Sequence, residues 1–88
     1  MTWRVCDSVR AAVQWRTADA TRLAEPGAWD LILCRNLTIY LRHEAAAQLR
    51  QTCEQALRRG GILVLGKAER PTEATRLAPL SPCIYRKE

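Results

Sequence analysis

The sequence predicts an α/β domain: a mostly parallel sheet packed with helix, finished by a C-terminal antiparallel edge strand. Three observations carry that expectation. The segment W-D-L-I-L-C-R-N-L-T-I-Y-L, Trp29 to Leu41, opens on an apolar run, Leu31 to Leu33, and breaks abruptly at Arg35 and Asn36. Such a run suits a strand buried on both faces, as parallel strands are. From His43 to Arg59, Ala46, Leu49, Cys53, Ala56 and Leu57 recur at steps of three and four, which makes one apolar stripe of a helix. Ile62 to Leu65 is a second apolar run, so strand, helix and strand make one crossover, of the right-handed kind.

The remaining elements follow in order. Val9 to Val13 is a helical or extended lead-in. Val13 to Thr17 alternates apolar and polar residues and reads as a first strand, ended by Ala18-Asp19-Ala20. Thr21 to Ala28 holds Pro26-Gly27 and reads as a loop with room for one helical turn. The central helix gains from its alanines, from Glu44 near its start and from Arg58-Arg59 at its end. Gly60 stands where a left-handed residue ends a helix. Arg42 lies where an N-capping side chain belongs, so that start is poorly capped. Gly66 closes the third strand. Residues 67 to 82 contain Pro71, Pro79 and Pro82 and read as an extended loop with at most a short helix around Thr72 to Arg76. Cys83 to Arg86 is the last strand. The expected order is β–β–α–β–β.

Bulk properties narrow the class. Eighty-eight residues make one domain at most, and a chain of this size buries about 60–65% of its unfolded surface. No apolar run approaches the roughly 20 residues that cross a bilayer, and charge interrupts the N-terminus from Arg4 onward, so no membrane insertion and a cytoplasmic location are expected. Cys6, Cys34, Cys53 and Cys83 form no C-x-x-C pair, and His43 is the single histidine, so the spacing disfavours zinc. Cys34 and Cys53 fall at apolar positions and read as buried thiols. The net charge is +5, but the arginines are scattered and no aromatic residues interleave them, which disfavours nucleic acid. An acidic protein surface suits that charge equally well.

Three blocks of residues carry a family resemblance. C-R-N-L-T-I-Y, Cys34 to Tyr40, resembles the C-R-N-x-x-I-Y signature of the chemotaxis-receptor (CheR-type) methyltransferases. R-R-G-G-I-L-V-L-G-K-A-E, Arg58 to Glu69, resembles that family's R-P-G-G-x-L-x-L-G-x-x-E block, and I-Y-R-K, Ile84 to Lys87, resembles its last strand. Order and spacing agree over roughly residues 9 to 87. The resemblance implies a partial class I methyltransferase (Rossmann-like) sheet. It also implies S-adenosyl-L-methionine (SAM) as cofactor and methyl transfer to glutamate carboxylates of a protein substrate.

The match covers the C-terminal half of such a domain, taken here as residues 1–88. The family's glycine-rich SAM loop has no counterpart: the glycines are Gly27, Gly60, Gly61 and Gly66, with no G-x-G. In the family fold, strands missing here separate the strand ending at Asp19 from the one ending at Cys34. Either a gap or direct pairing of those two strands is expected. A missing N-terminal half or a second chain is an expected partner, and the chain alone is expected to be inactive or very weak. The rival expectation is a non-catalytic protein-interaction module.

The resemblance also assigns residues. Asp19 and Ala20 stand at the adenine contact, where the family usually has Asn-Leu; an aspartate accepts the adenine N6–H equally well. A strand-ending aspartate that caps the next turn is the alternative. Arg35 and Asn36 match the SAM-contacting Arg-Asn pair, against bonding to neighbouring loops. Tyr40 matches the tyrosine toward the methyl-transfer site, against a core aromatic with its hydroxyl at the rim. Glu69 is retained from an H-S-E sequence whose histidine is replaced by Lys67. Trp15 and Trp29 replace phenylalanines and are expected in the core. His43 is expected to be exposed in the first helical turn.

Overall fold

The computed structural model describes residues 3–22, 25–71 and 75–88. Its elements are α1 (Asp7–Ala12), a 3-10 turn at Ala20–Arg22, β1 (Trp29–Cys34), a 3-10 turn at Thr38–Tyr40, α2 (His43–Ala56), β2 (Leu57–Leu65), β3 (Leu77–Ser81) and β4 (Ile84–Lys87). The sheet order is β1-β2-β4-β3. β1 and β2 run parallel across the α2 crossover, as expected. β4 is antiparallel to both β2 and β3.

The core lies between α2 and one sheet face. In strands, alternate residues point to opposite faces. Ile32 pairs with Leu63 and Cys34 with Leu65 on the α2 side. The expected stripe is found: Ala46, Leu49, Cys53 and Ala56 are buried, and Leu57, Leu63 and Leu65 are fully buried beneath them. Arg42 N-caps α2 in extended backbone with no side-chain capping bond. His43 is exposed in the first turn.

Several expectations are corrected. The sheet is not mostly parallel: one of its three strand pairings is parallel and two are antiparallel. The C-terminal strand is not at the edge. It lies between β2 and β3, because Leu77–Ser81, expected to be loop, forms the outer strand. Pro79 concealed that strand, yet a proline is tolerated on an edge strand. The hairpin between them turns at Pro82 and Cys83, with Cys83 at φ 70.

α2 ends at Ala56 rather than Arg59, because Leu57 leaves helical geometry to pair with Trp29. Between Leu57 and Ile62 the register shifts, and Arg58, Arg59 and Gly60 stand exposed in a bulge. Gly60 does take a positive φ of 82, inside β2 rather than at a helix end. Gly61 is required there, since a Cβ would stand 2.8 Å from the Arg58 carbonyl oxygen.

Val13 to Thr17 is not a strand. It runs without a ladder partner among the described residues, so it does not pair with β1, whose outer edge has no described strand beside it. Trp15 and Trp29 are not core residues: they are 88% and 47% exposed, Trp15 on a segment that joins no described sheet and Trp29 at the start of edge strand β1. The short helix expected around 72 to 76 falls mainly on residues outside the described ones.

Candidate functional site

Parallel strands bring ligands to their C-terminal ends, beyond the last backbone pairs. Here those ends are Cys34 and Leu65, which are register partners. Beside β1 an open crevice of about 480 Å³ is lined by Ala20, Leu33, Cys34, Arg35, Leu49 and Cys53 among others. The turn carrying Ala20 is held against α2 by Gln48 Nε2 and Thr52 Oγ1, which both donate to the Thr21 carbonyl at 3.2 Å. At the rim, Glu25 accepts from Arg16 at 2.5 Å and from the Trp29 indole at 2.7 Å. The Trp29 and Arg16 hydrogen bonds hold the Glu25 carboxyl below the usual carboxylate range.

The assigned residues divide. Ala20 and Arg35 line the crevice; Asp19, Asn36 and Tyr40 do not. Asp19 is exposed and caps the turn that follows it. Its Oδ1 accepts from the Thr21 hydroxyl at 2.6 Å and the Thr21 N–H at 3.0 Å, and these bonds lower its pKa. Asn36 sits at φ 59 with its Oδ1 over Gly66. Tyr40 is 81% exposed, so it is not a core aromatic.

Glu69, barely marked by the sequence, organises the strand ends. Its buried carboxylate accepts the Gly66 N–H at 3.0 Å, the Leu37 N–H at 3.1 Å and the Thr38 N–H at 2.7 Å. It also accepts from the Asn36 N–H and the Thr38 hydroxyl. Burial opposes its ionisation, but the bonds from Thr38, Asn36 and Gly66 outweigh it and bring the pKa down to about 2. Beyond the family resemblance that retains Glu69, the three-residue step from Gly66 to Glu69 is the signal in the residues, since it places a carboxylate just past a strand end. Cys34 and Cys53 are both buried, as expected, and both line the crevice. No helix among the described residues is long and apolar enough to cross a membrane.

A parallel strand–helix–strand unit with a crevice that runs along β1 from Trp29 to Arg35, past the strand's C-terminal end, defines an α/β domain with room for a ligand. The family follows from comparison: the model of the CheR methyltransferase, SAM binding domain, matches residues 1–84, and the chain belongs to that family. It is 39% identical over 69 residues to a chemotaxis protein methyltransferase of Listeria innocua, and 38% identical over 69 residues to one of Listeria monocytogenes. Each match covers 77% of this chain and 26% of the relative, so the chain spans about a quarter of the relatives' length.

Proposed function

We propose that this chain forms the β1-side wall of the adenosyl site in a SAM-dependent methyltransferase acting on protein glutamate carboxylates. The observation that carries the reading is the position of Arg35. It directly follows a parallel strand and lines an apolar crevice together with Ala20. A volume of about 480 Å³ falls within the roughly 300–1,000 Å³ typical of small-molecule sites. The alanine and aliphatic lining suits a purine face, and the guanidinium suits polar groups at its margin.

When bound, SAM supplies a methyl group on a sulfonium centre. The acceptor needs little activation, because a glutamate side chain with a pKa of about 4.3 is ionised at neutral pH. No general base is called for, and the work left to the protein is alignment. Arg35 and Asn36 belong to the cofactor side in this reading and exposed Tyr40 to the acceptor side. Asp19 holds Thr21 through Oδ1, and in this reading its Oδ2 is the oxygen turned to the adenine margin beside Ala20. The net charge of +5 favours approach of an acidic, glutamate-bearing surface. Without a glycine-rich loop, the 88 residues alone are proposed to bind without appreciable turnover, and a further segment or chain to complete the site.

Titration calorimetry with S-adenosylhomocysteine tests this. Saturable binding, abolished by Arg35→Ala, is the expected result; no heat at millimolar ligand overturns it. One observation favours a second reading, a non-catalytic interaction module: Leu31 and Leu33 lie exposed on β1, the edge strand whose outer side pairs with no described strand. Absence of nucleoside binding together with stable capture of a receptor-derived polypeptide would select it.

A further inference from the structure

We propose that Glu69 is a positioning residue that sets the shape of the crevice by clamping the ends of the two parallel strands to each other. The inference rests on reading that crevice as the adenosyl site, and it extends the reading to a residue outside the lining.

The argument begins with the donors. Both carboxylate oxygens are taken up: one by Gly66 and Asn36 N–H, the other by Leu37 N–H, Thr38 N–H and the Thr38 hydroxyl. Gly66 belongs to the turn after β2, and residues 36–38 to the turn after β1. One side chain therefore ties two strand ends that lie more than thirty residues apart in sequence. Three successive amides converging on one anion form a backbone nest, a device for holding negative charge. The convergence includes Asn36 at φ 59, a left-handed conformation that non-glycine residues hold only when their surroundings enforce it.

The clamp also accounts for Gly66. A Cβ there would collide with Glu69 Oε1 and would stand 2.7 Å from Asn36 Oδ1. The glycine, the carboxylate and the left-handed asparagine are thus one unit. Arg35 immediately precedes that unit, and Tyr40 leaves it through the Thr38–Tyr40 turn. Neither side chain hydrogen-bonds to Glu69, yet both continue from backbone that Glu69 holds. Aligned transfer is intolerant of misplacement, so residues supporting a site repay its geometry rather than its contacts.

The experiment compares the full chain with Glu69→Gln and with Leu77→Ala, a core substitution remote from the crevice. A glutamine keeps the length but brings donor hydrogens toward donors, so it cannot serve the whole nest. Calorimetry at neutral pH is expected to show S-adenosylhomocysteine affinity lowered at least about tenfold in Glu69→Gln, the scale of lost supporting contacts. Leu77→Ala, though less stable, is expected to bind as the parent does. Amide exchange by NMR is expected to quicken at Asn36, Leu37 and Thr38 in Glu69→Gln alone. Parental affinity in a folded Glu69→Gln overturns the proposal, as does unchanged amide protection at those three residues. A parent chain that binds no ligand overturns the crevice reading instead, and the exchange data still decide the clamp.

Discussion

The Thr38 N–H donates to Glu69 Oε2 at 2.7 Å, across 31 residues of sequence and between the ends of two parallel strands. Buried charge of this kind is stable only when its donors are fixed in place. The consequence is measurable in acid. The folded-state pKa of about 2 lies below the ordinary 4.5. The folded form therefore binds fewer protons than the unfolded form between those values. The stabilisation is full above about pH 4.5 and is lost as pH falls through 2. Urea midpoints are expected to be level from neutral pH to about 5 and to fall steeply below that. Glu69→Gln should cost about 1–3 kcal/mol at neutral pH and flatten the acid limb. An acid limb as steep in the variant as in the parent would refute this.

Gly66→Ala is expected to destabilise the fold by about 1–3 kcal/mol, because the added methyl meets the Glu69 carboxylate and Asn36 in a packed turn. Chemical unfolding gives the size. NMR shifts concentrated at residues 36–38 would give the cause, and a neutral substitution would exclude the collision.

Arg42→Asp should stabilise the chain by about 1 kcal/mol. Position 42 already has extended N-cap geometry, φ −62 and ψ 153, but no side-chain capping bond. An aspartate supplies the acceptor and places negative charge at the positive end of the helix dipole. A raised thermal midpoint is the expected readout, and an unchanged or lowered one counts against it.

The cysteines should react in a fixed sequence. Cys6 is exposed, and a hydrogen bond from its partner Ser8 lowers its pKa. Its hydrogen bond with Cys34 and burial push the Cys53 thiol up. Alkylation followed by mass mapping is expected to label exposed Cys6 first and Cys53 last. Early labelling of Cys53 would mean that α2 does not seal the core.

Local pattern was legible wherever burial follows period. The α2 stripe and the runs at Leu31–Leu33 and Ile62–Leu65 reappear as helix and strands, but β1 is not buried on both faces as expected: Leu31 and Leu33 are 53% and 68% exposed, because the face away from α2 is uncovered by any described element. What escaped the sequence depends on neighbours. Val13 to Thr17 has strand-like alternation, but a strand needs a ladder partner and none is present among the described residues. Leu77–Ser81 has a proline and was still recruited, because only one of its sides is paired. At the candidate site, the Arg35–Asn36 break falls at the end of β1, yet the two side chains part, Arg35 to the crevice and Asn36 over Gly66. No residue pattern announces such a divergence, because it follows from the left-handed turn at Asn36. Glu69 was muted for a related reason: its partners are mainly main-chain amides, which have no letter in a sequence.

The two flanks of the sheet are unlike. β3 carries Pro79 and an irregularity between Pro79 and Ser81, features that spoil hydrogen bonding to a newcomer. β1 has no proline, its irregularity lies only at its start between Trp29 and Leu31, and it exposes Trp29, Leu31 and Leu33 beside main-chain groups that no described strand pairs. Accretion is therefore one-sided. Any strand that joins this sheet, whether a physiological companion or an unwanted neighbour in a concentrated solution, joins at β1. Shielding that flank is the first requirement for keeping the polypeptide monodisperse.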